Sequence, residues 1–224
     1  MRAVIRIGGS VIASPPNPEL MRGYGELLRK LRGQGHELAV VVGGGSLARE
    51  SIEWAKKMGL KEPDQDRVAV MASRLVAQPL ASFLGLDEVP SSLRRAVTLM
   101  ERHGIVVMGG LKPGMTTDSV AALLAERLKA DILVKATDQD GVYTKDPRKY
   151  PDALKLEEMT IQQLEETMAE TRHRAGIHQI VDPEAVKLLK RCRIKAVIVN
   201  GFNPENVGLA IEGGRVGTLI HHGS

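Results

Sequence analysis

Apolar positions follow two rhythms along this chain. Short runs rich in β-branched residues, such as Val4-Ile5-Arg6-Ile7, Val40-Val41-Val42 and Ile105-Val106-Val107, are separated by longer stretches with apolar residues every three or four positions. The first rhythm suits strands buried on both faces, and the second suits amphipathic helices. Together they predict strands at 2–8, 37–42, 105–109, 131–135, 194–200 and 216–220. Helices are predicted at 19–32, 46–58, 67–84 with a break at Pro79, 91–103, 118–129, near 160–171, 183–192 and 204–212. Residues 60–66 read as a polar connection. Strands alternating with helices imply right-handed crossovers and a mainly parallel sheet covered on both faces. The fold class expected is therefore α/β, as one domain spanning 1–224.

Three of these strands stop on glycine: Gly8-Gly9-Ser10, Gly43-Gly44-Gly45-Ser46 and Gly109-Gly110. A buried parallel strand that ends in glycine before a helix leaves main-chain N–H groups open, and such groups suit a phosphate. Three junctions of this kind point to a surface for several phosphates, and so to an enzyme that handles nucleotides.

Composition narrows the classes. With two Phe, one Trp and three Tyr in 224 residues, the core must be aliphatic. The net charge of +4 is mild, and basic and acidic residues are interspersed, which argues against nucleic-acid binding. Cys192 is the single cysteine, so no intrachain disulfide forms, a reducing compartment is expected, and the thiol reads as buried and inert. No apolar run approaches the roughly 18 residues of a membrane span, and Arg6 and Gly8-Gly9 interrupt any signal-peptide core. The expected location is the cytoplasm. The chain has no Gly-Lys-Ser/Thr and no His-Glu-x-x-His or paired cysteines, which argues against a P-loop or a zinc site. Gly43-x-Gly45-x-x-Ala48 formally matches a dinucleotide fingerprint, but Glu62, Asp64 and Asp66 follow a helix and a proline, not a second strand. His221-His222 read as a loose terminus.

Several residues have two readings each. Arg6 inside an apolar strand is either at the sheet's edge or outer face, or is a cation for a transferring phosphoryl group. Arg49, one turn beyond Gly45, either holds an anion bound by the loop or pairs with Glu53. Thr116, Thr117 and Asp118 are natural helix caps, yet the loop before them is long enough to hold a ligand. Turn chemistry explains Asp140-Gly141 and Asp146-Pro147, but not all three aspartates around Tyr143, which suit a magnesium–triphosphate or a ribose.

The blocks Gly8-Gly9-Ser10, Gly43-Gly44-Gly45 through Arg49, Met108-Gly109-Gly110, Thr116-Thr117-Asp118-Ser119-Val120-Ala121-Ala122 and Lys135-Ala136-Thr137-x-x-Asp140-Gly141-Val142-Tyr143-Thr144-x-Asp146-Pro147 resemble the amino acid kinase superfamily. Within it they are most similar to the uridylate kinases of the short archaeal type. Val181-Asp182-Pro183 and Gly217-Thr218-Leu219-Ile220 share that likeness, which spans nearly the whole chain. The resemblance implies a three-layer α/β/α sandwich, transfer of the ATP γ-phosphoryl group to UMP, magnesium accompanying ATP, no metal bound by the protein alone, and a homohexamer. It implies an N-terminal part that mainly holds UMP and a C-terminal part that mainly holds ATP. Arg6 and Arg49 would be catalytic. Gly9, Ser10, Gly45, Arg49, Thr137, Tyr143 and Asp146 would contact ATP. Gly44, Asp66, Leu111, Lys112, Pro113, Gly114, Met115, Thr116 and Thr117 would hold UMP. Two positions depart from the pattern: Arg6 and Asp138 stand where relatives often carry lysine, and Lys135 or Lys145 would then supply the second cation. The rival expectations are a related phosphotransferase with another acceptor, such as isopentenyl phosphate, and a non-catalytic nucleotide-binding module.

Overall fold

The computed structural model describes residues 1–170 and 181–223. The strands are β1 (Arg2–Ile7), β2 (Glu37–Val42), β3 (Ile105–Met108), β4 (Ile132–Thr137), β5 (Val142–Tyr143), β6 (Lys155–Leu156), β7 (Glu158–Thr160), β8 (Lys195–Asn200) and β9 (Thr218–His221). The helices are α1 (Gly9–Ile12), α2 (Pro18–Gly33), α3 (Gly45–Lys57), α4 (Glu62–Phe83), α5 (Leu93–His103), α6 (Thr117–Leu128), α7 (Ile161–Glu170), α8 (Pro183–Cys192) and α9 (Glu205–Ile211). Seven strands form one sheet in the order β3-β2-β1-β4-β8-β9-β7, and β5 and β6 form a separate antiparallel pair. The first five strands of that order run parallel, and β9 turns antiparallel to β8.

Strand periodicity decides which helix each side chain meets. Val4, Val41, Val106, Met108 and Leu133 pack on one face against α5, α6 and α8. Ile5, Ile7, Val40, Val42, Val107 and Val134 pack on the other against α2, α4 and α9. The result is the three-layer α/β/α sandwich that the resemblance implies. Because β1, β2, β3, β4 and β8 are parallel, their carboxyl ends and following loops share one edge of the sheet. Among the described residues, no helix is long and apolar enough to cross a membrane.

Several expectations need correction. α4 begins at Glu62 and places Asp66 on a helix, not in a connection. Pro63 in the first turn and acids beside it are ordinary helix openers. α4 also continues through Pro79. Burial of Val76, Ala77, Leu80 and Ala81 offsets the amide that proline lacks. Thr137 belongs to β4 and not to the loop that follows. The short strands β5, β6 and β7 were not expected. His221 lies in β9, and a ring nitrogen of His222 is 3.1 Å from the Ile194 carbonyl oxygen, so this end is tied down. Cys192 is half-buried, and burial followed by Glu126 pushes its thiol up. Residue 171, where the pattern ends a helix, lies outside the described residues.

Tyr24 on α2 ties one layer to the site edge. Its ring is fully buried, and its hydroxyl donates to the Gly201 carbonyl just past β8 at 2.7 Å. Burial holds the phenol well above its ordinary range, so it remains a donor. Tyr24→Phe leaves that carbonyl without its hydroxyl partner, and urea unfolding is expected to show a loss of about 1–3 kcal/mol. A change below about 0.5 kcal/mol would mean that the bond contributes nothing net.

Candidate active site

The turns after β1 and β2 meet backbone to backbone. A side-chain carbon on Gly9 would lie 2.2 Å from the Gly45 nitrogen. Gly45 itself has φ +58°, and a carbon there would lie 2.0 Å from the Ala13 carbonyl oxygen. Only glycine fits this seam. Gly9 and Ser10 open α1 and Gly45 opens α3, so their amides stand in first helical turns, where no carbonyl one turn earlier can receive them. The third glycine junction is different. The Gly110 N–H donates to Ser73 Oγ at 2.7 Å, and Arg74 donates to the Gly110 and Leu111 carbonyls at 3.0 and 2.9 Å. α4 therefore occupies that amide, and the three expected phosphate junctions become two.

Arg49 donates to Ser14 Oγ at 3.0 Å, and Ser14 donates to the Gly9 carbonyl at 3.0 Å. Its guanidinium is thereby fastened beside the seam. Glu53, the alternative partner, pairs with Lys56 at 2.8 Å.

Arg6 is not at the sheet's edge or outer face. β1 lies inside the sheet, and Arg6 is in register with Lys135 of β4. Both side chains reach Asp118 in the first turn of α6. Arg6 Nε lies 2.7 Å from Asp118 Oδ1, and Lys135 Nζ pairs with Asp118 Oδ2. The side chains are only 17, 11 and 6% exposed for Arg6, Asp118 and Lys135. Burial alone would raise the Asp118 pKa; Arg6 and then Lys135 outweigh it and hold the carboxyl below its ordinary range. Burial lowers Lys135, with Asp118 opposing the shift. The Arg6–Asp118 contact is ionic and not aligned as a hydrogen bond. Arg6 Nη2 donates to Thr117 Oγ1 at 3.0 Å, and its Nη1 is what a side-chain carbon on Gly8 would meet, at 3.0 Å. The guanidinium thus links the start of α6, after the 111–117 loop, to the glycine turn.

On the Thr117 side lies an open cleft of about 790 Å³. Gly44, Asp66, Lys112, Pro113, Gly114, Met115, Thr116 and Thr117 all line it. Asp66 Oδ2 accepts the Gly114 N–H at 2.7 Å and so holds the loop against α4. Leu111 is the exception: its side chain packs on the core. Ser10 lines a separate open hollow of about 780 Å³ that also touches Ser14, Asn17 and Phe202.

The residues expected to frame adenosine lie at the last position of β4 and beyond it. Thr137 is buried and bonds Asp138 at 3.1 Å. Tyr143 Oη is 3.4 Å from Asp140 Oδ2, and Asn200 donates to Asp140 Oδ1 at 2.7 Å. Partial burial, then Asp140, raises the Tyr143 phenol. Asp146 accepts the Arg148 N–H and Nε at 3.1 Å, and the Arg148 side chain lowers its pKa. Of the two lysines considered, Lys145 pairs with Asp152, while Lys135 stands in register with Arg6 and pairs with Asp118. Asp118 had been read as a cap, and Ser73, Arg74 and Asn200 were not singled out. Lys135 carried the same signal as Arg6, a charge inside an apolar strand. Among the described residues, no three Asp, Glu, His or Cys side chains form a metal-ligating group.

The amino acid kinase family pattern matches residues 1–200. Uridylate kinase of Methanothermobacter thermautotrophicus is 40% identical over 223 residues, covering 98% of this chain and 99% of its own. Uridylate kinase of Methanothrix thermoacetophila is 42% identical over the same shares. The crystal structure of uridylate kinase from Archaeoglobus fulgidus superposes with a TM-score of 0.89 at 38% identity, covering 98% of this chain and all (100%) of that one.

Removing Asp118 leaves two buried cations facing each other. Asp118→Ala is expected to cost about 3 kcal/mol or more in urea unfolding. A loss below about 1 kcal/mol would mean the three charges are solvated independently.

Proposed function

The chain belongs to the amino acid kinase family, and from that premise we propose that it transfers the γ-phosphoryl group of ATP to UMP, giving ADP and UDP. The observation that carries the reading is the position of Arg6, which touches Thr117 at the cleft and borders Gly8 at the glycine seam. Full-length similarity to uridylate kinases supports the choice of acceptor.

In this reading the chain acts as one domain, 1–224, with UMP mainly on its N-terminal part and ATP mainly on its C-terminal part. The seam amides of Gly9, Ser10 and Gly45, with Arg49, take the ATP phosphates. Thr137, Tyr143 and Asp146 border the adenosine. UMP occupies the cleft between α4 and the 111–117 loop, where the free edge of Asp66 accepts ribose hydroxyls. A UMP phosphate oxygen attacks the γ-phosphorus as the bond to ADP breaks on the opposite side. That oxygen is largely ionised near neutral pH, because a phosphate monoester has its second pKa near about 6, so the step needs no general base. Positioning and charge neutralisation carry the rate. Arg6 and Lys135 supply cations already stripped of water, and Asp118 keeps them oriented.

Magnesium bound to the ATP phosphates supplies further charge neutralisation. Such an ion needs only one or two protein carboxylates beside the phosphates. Asp138, exposed at the end of β4, is suited to that role. A homohexamer in the cytoplasm fits the same reading. Trp54 on α3 and Met58 capping its end, and Met71 and Leu75, one turn apart on α4, are exposed apolar side chains on helices packed together. Association of copies would cover such a face, and a sedimenting species of monomer mass would exclude it.

Coupled ADP-release assays with UMP, CMP and dUMP test the reaction. UMP is expected to turn over best, with turnover lost on chelation and restored by magnesium. Turnover only with another acceptor, or none, would contradict the assignment. Arg6→Ala is expected to lower kcat on the order of 10³ with a much smaller change in KM. A kcat within a few-fold of the original would make Arg6 merely structural.

A further inference from the structure

Asp182 has no part in the reaction as described, yet it is bonded to the turn that serves it. It caps α8, with Oδ1 accepting the Glu184 N–H at 3.1 Å. Its other oxygen, Oδ2, accepts from Thr116 Oγ1 at 2.5 Å and from Ser119 Oγ. Thr116 caps α6 and lines the acceptor cleft, and its Oγ1 accepts the Ser119 N–H at 3.1 Å. Between those two residues stand Thr117, which meets Arg6, and Asp118, which holds both cations. One carboxylate from the C-terminal part of the chain therefore grips both ends of a four-residue turn in the N-terminal part.

Three donors converge on this side chain, a pattern that suits a carboxylate. Thr116 Oγ1 accepts the Ser119 N–H on one lone pair, and its own proton goes to Asp182 Oδ2. The Ser119 hydroxyl points its proton to that same oxygen. On the opposite edge of the Asp182 side chain, the Glu184 N–H is again a donor. An ionised aspartate accepts on both edges, whereas an asparagine accepts on one and donates on the other. Turned one way, the amide sets its NH2 against the Glu184 N–H; turned the other, Thr116 and Ser119 must accept where they now donate, and both hydroxyl protons need new partners.

We propose that Asp182 is a positioning residue of the phosphoryl-transfer site, fixing through Thr116 and Ser119 the turn that presents Thr117 to the acceptor phosphate and Asp118 to Arg6 and Lys135. This rests on the reading of the site given above. Asp182 touches neither substrate in this reading; it acts through that turn, and its main chain on Asp118 and its charge beside Lys135 work in the same direction, toward an ionised cluster.

The test compares Asp182→Asn, Thr116→Val, Thr116→Ser and the Asp182→Asn/Thr116→Val double variant in steady-state assays, with active-site concentration from ATP-analogue titration and melting followed in parallel. Wild-type turnover of UMP is measured first; its absence sinks the acceptor assignment on which this role rests. Given that turnover, Asp182→Asn is expected to lower kcat by about 10- to 100-fold, as a small misplacement of catalytic groups does. The KM for UMP rises several-fold while that for ATP stays within about twofold, because the seam and adenosine side are untouched. Thr116→Ser keeps the hydroxyl and stays near wild type, whereas Thr116→Val shows part of the loss. The double variant is no worse than Asp182→Asn, since both changes break one contact. Wild-type kinetics per active site in Asp182→Asn, with only a lowered melting point, would reduce Asp182 to a helix cap and overturn the role. Fully additive losses would overturn it as well. Should Asp182→Asn fail to fold, the Thr116→Val and Thr116→Ser pair decides: equal activity in the two contradicts the proposal.

Discussion

A carboxylate held between two cations inside the protein is the interaction on which the rest of this structure turns. Asp118 is ionised because Arg6 and Lys135 stand on either side of it. Burial works against the Lys135 ammonium, and Asp118, which faces both side chains, opposes that effect. Such a cluster costs desolvation energy, and the mutual attraction repays it only if geometry is held closely. The parallel register of β1 and β4 supplies that geometry by placing Arg6 opposite Lys135, and the first turn of α6 brings Asp118 over both. In the proposed reading, this cluster is what faces the transferring phosphoryl group.

The surrounding architecture serves the same end with different chemistry. The amides proposed to hold phosphates stand on glycine turns packed too closely for any side chain. The loop proposed to hold the acceptor is fastened to α4 and to the start of α8. Ser73 and Arg74 grip one end of that loop, Asp66 grips its middle, and Asp182 grips its far end. A loop restrained in this way spends little further entropy on closing over a ligand.

Much of this was legible in the chain before any coordinates. Strands buried on both faces leave apolar runs too plain to miss, and glycines that end them mark the site edge. Arg6 stood out because a charge in such a run needs a reason. Less was visible where the deciding fact is a contact between distant residues. Asp118 looked like an ordinary cap, since nothing in a one-dimensional pattern shows two cations converging on it. Ser73 was an unremarkable helix position until the Gly110 amide met it. The openness of the third glycine junction was overestimated for the same reason: whether an N–H is free depends on a neighbour 37 residues away. Strands of two or three residues, such as β5 and β7, are too short to carry a period. The start of α4 was hidden by a proline and acids that resemble a loop but also suit a first helical turn.

The most direct test is a crystal structure of the protein with UMP and a non-hydrolysable ATP analogue bound together. The account predicts the two nucleotides end to end along the carboxyl edge of the sheet, with Arg6 within hydrogen-bond distance of the terminal phosphate of the ATP analogue and UMP between α4 and the 111–117 loop. Terminal phosphates that converge away from Arg6, with the guanidinium still closed on Asp118 and Thr117, would contradict it.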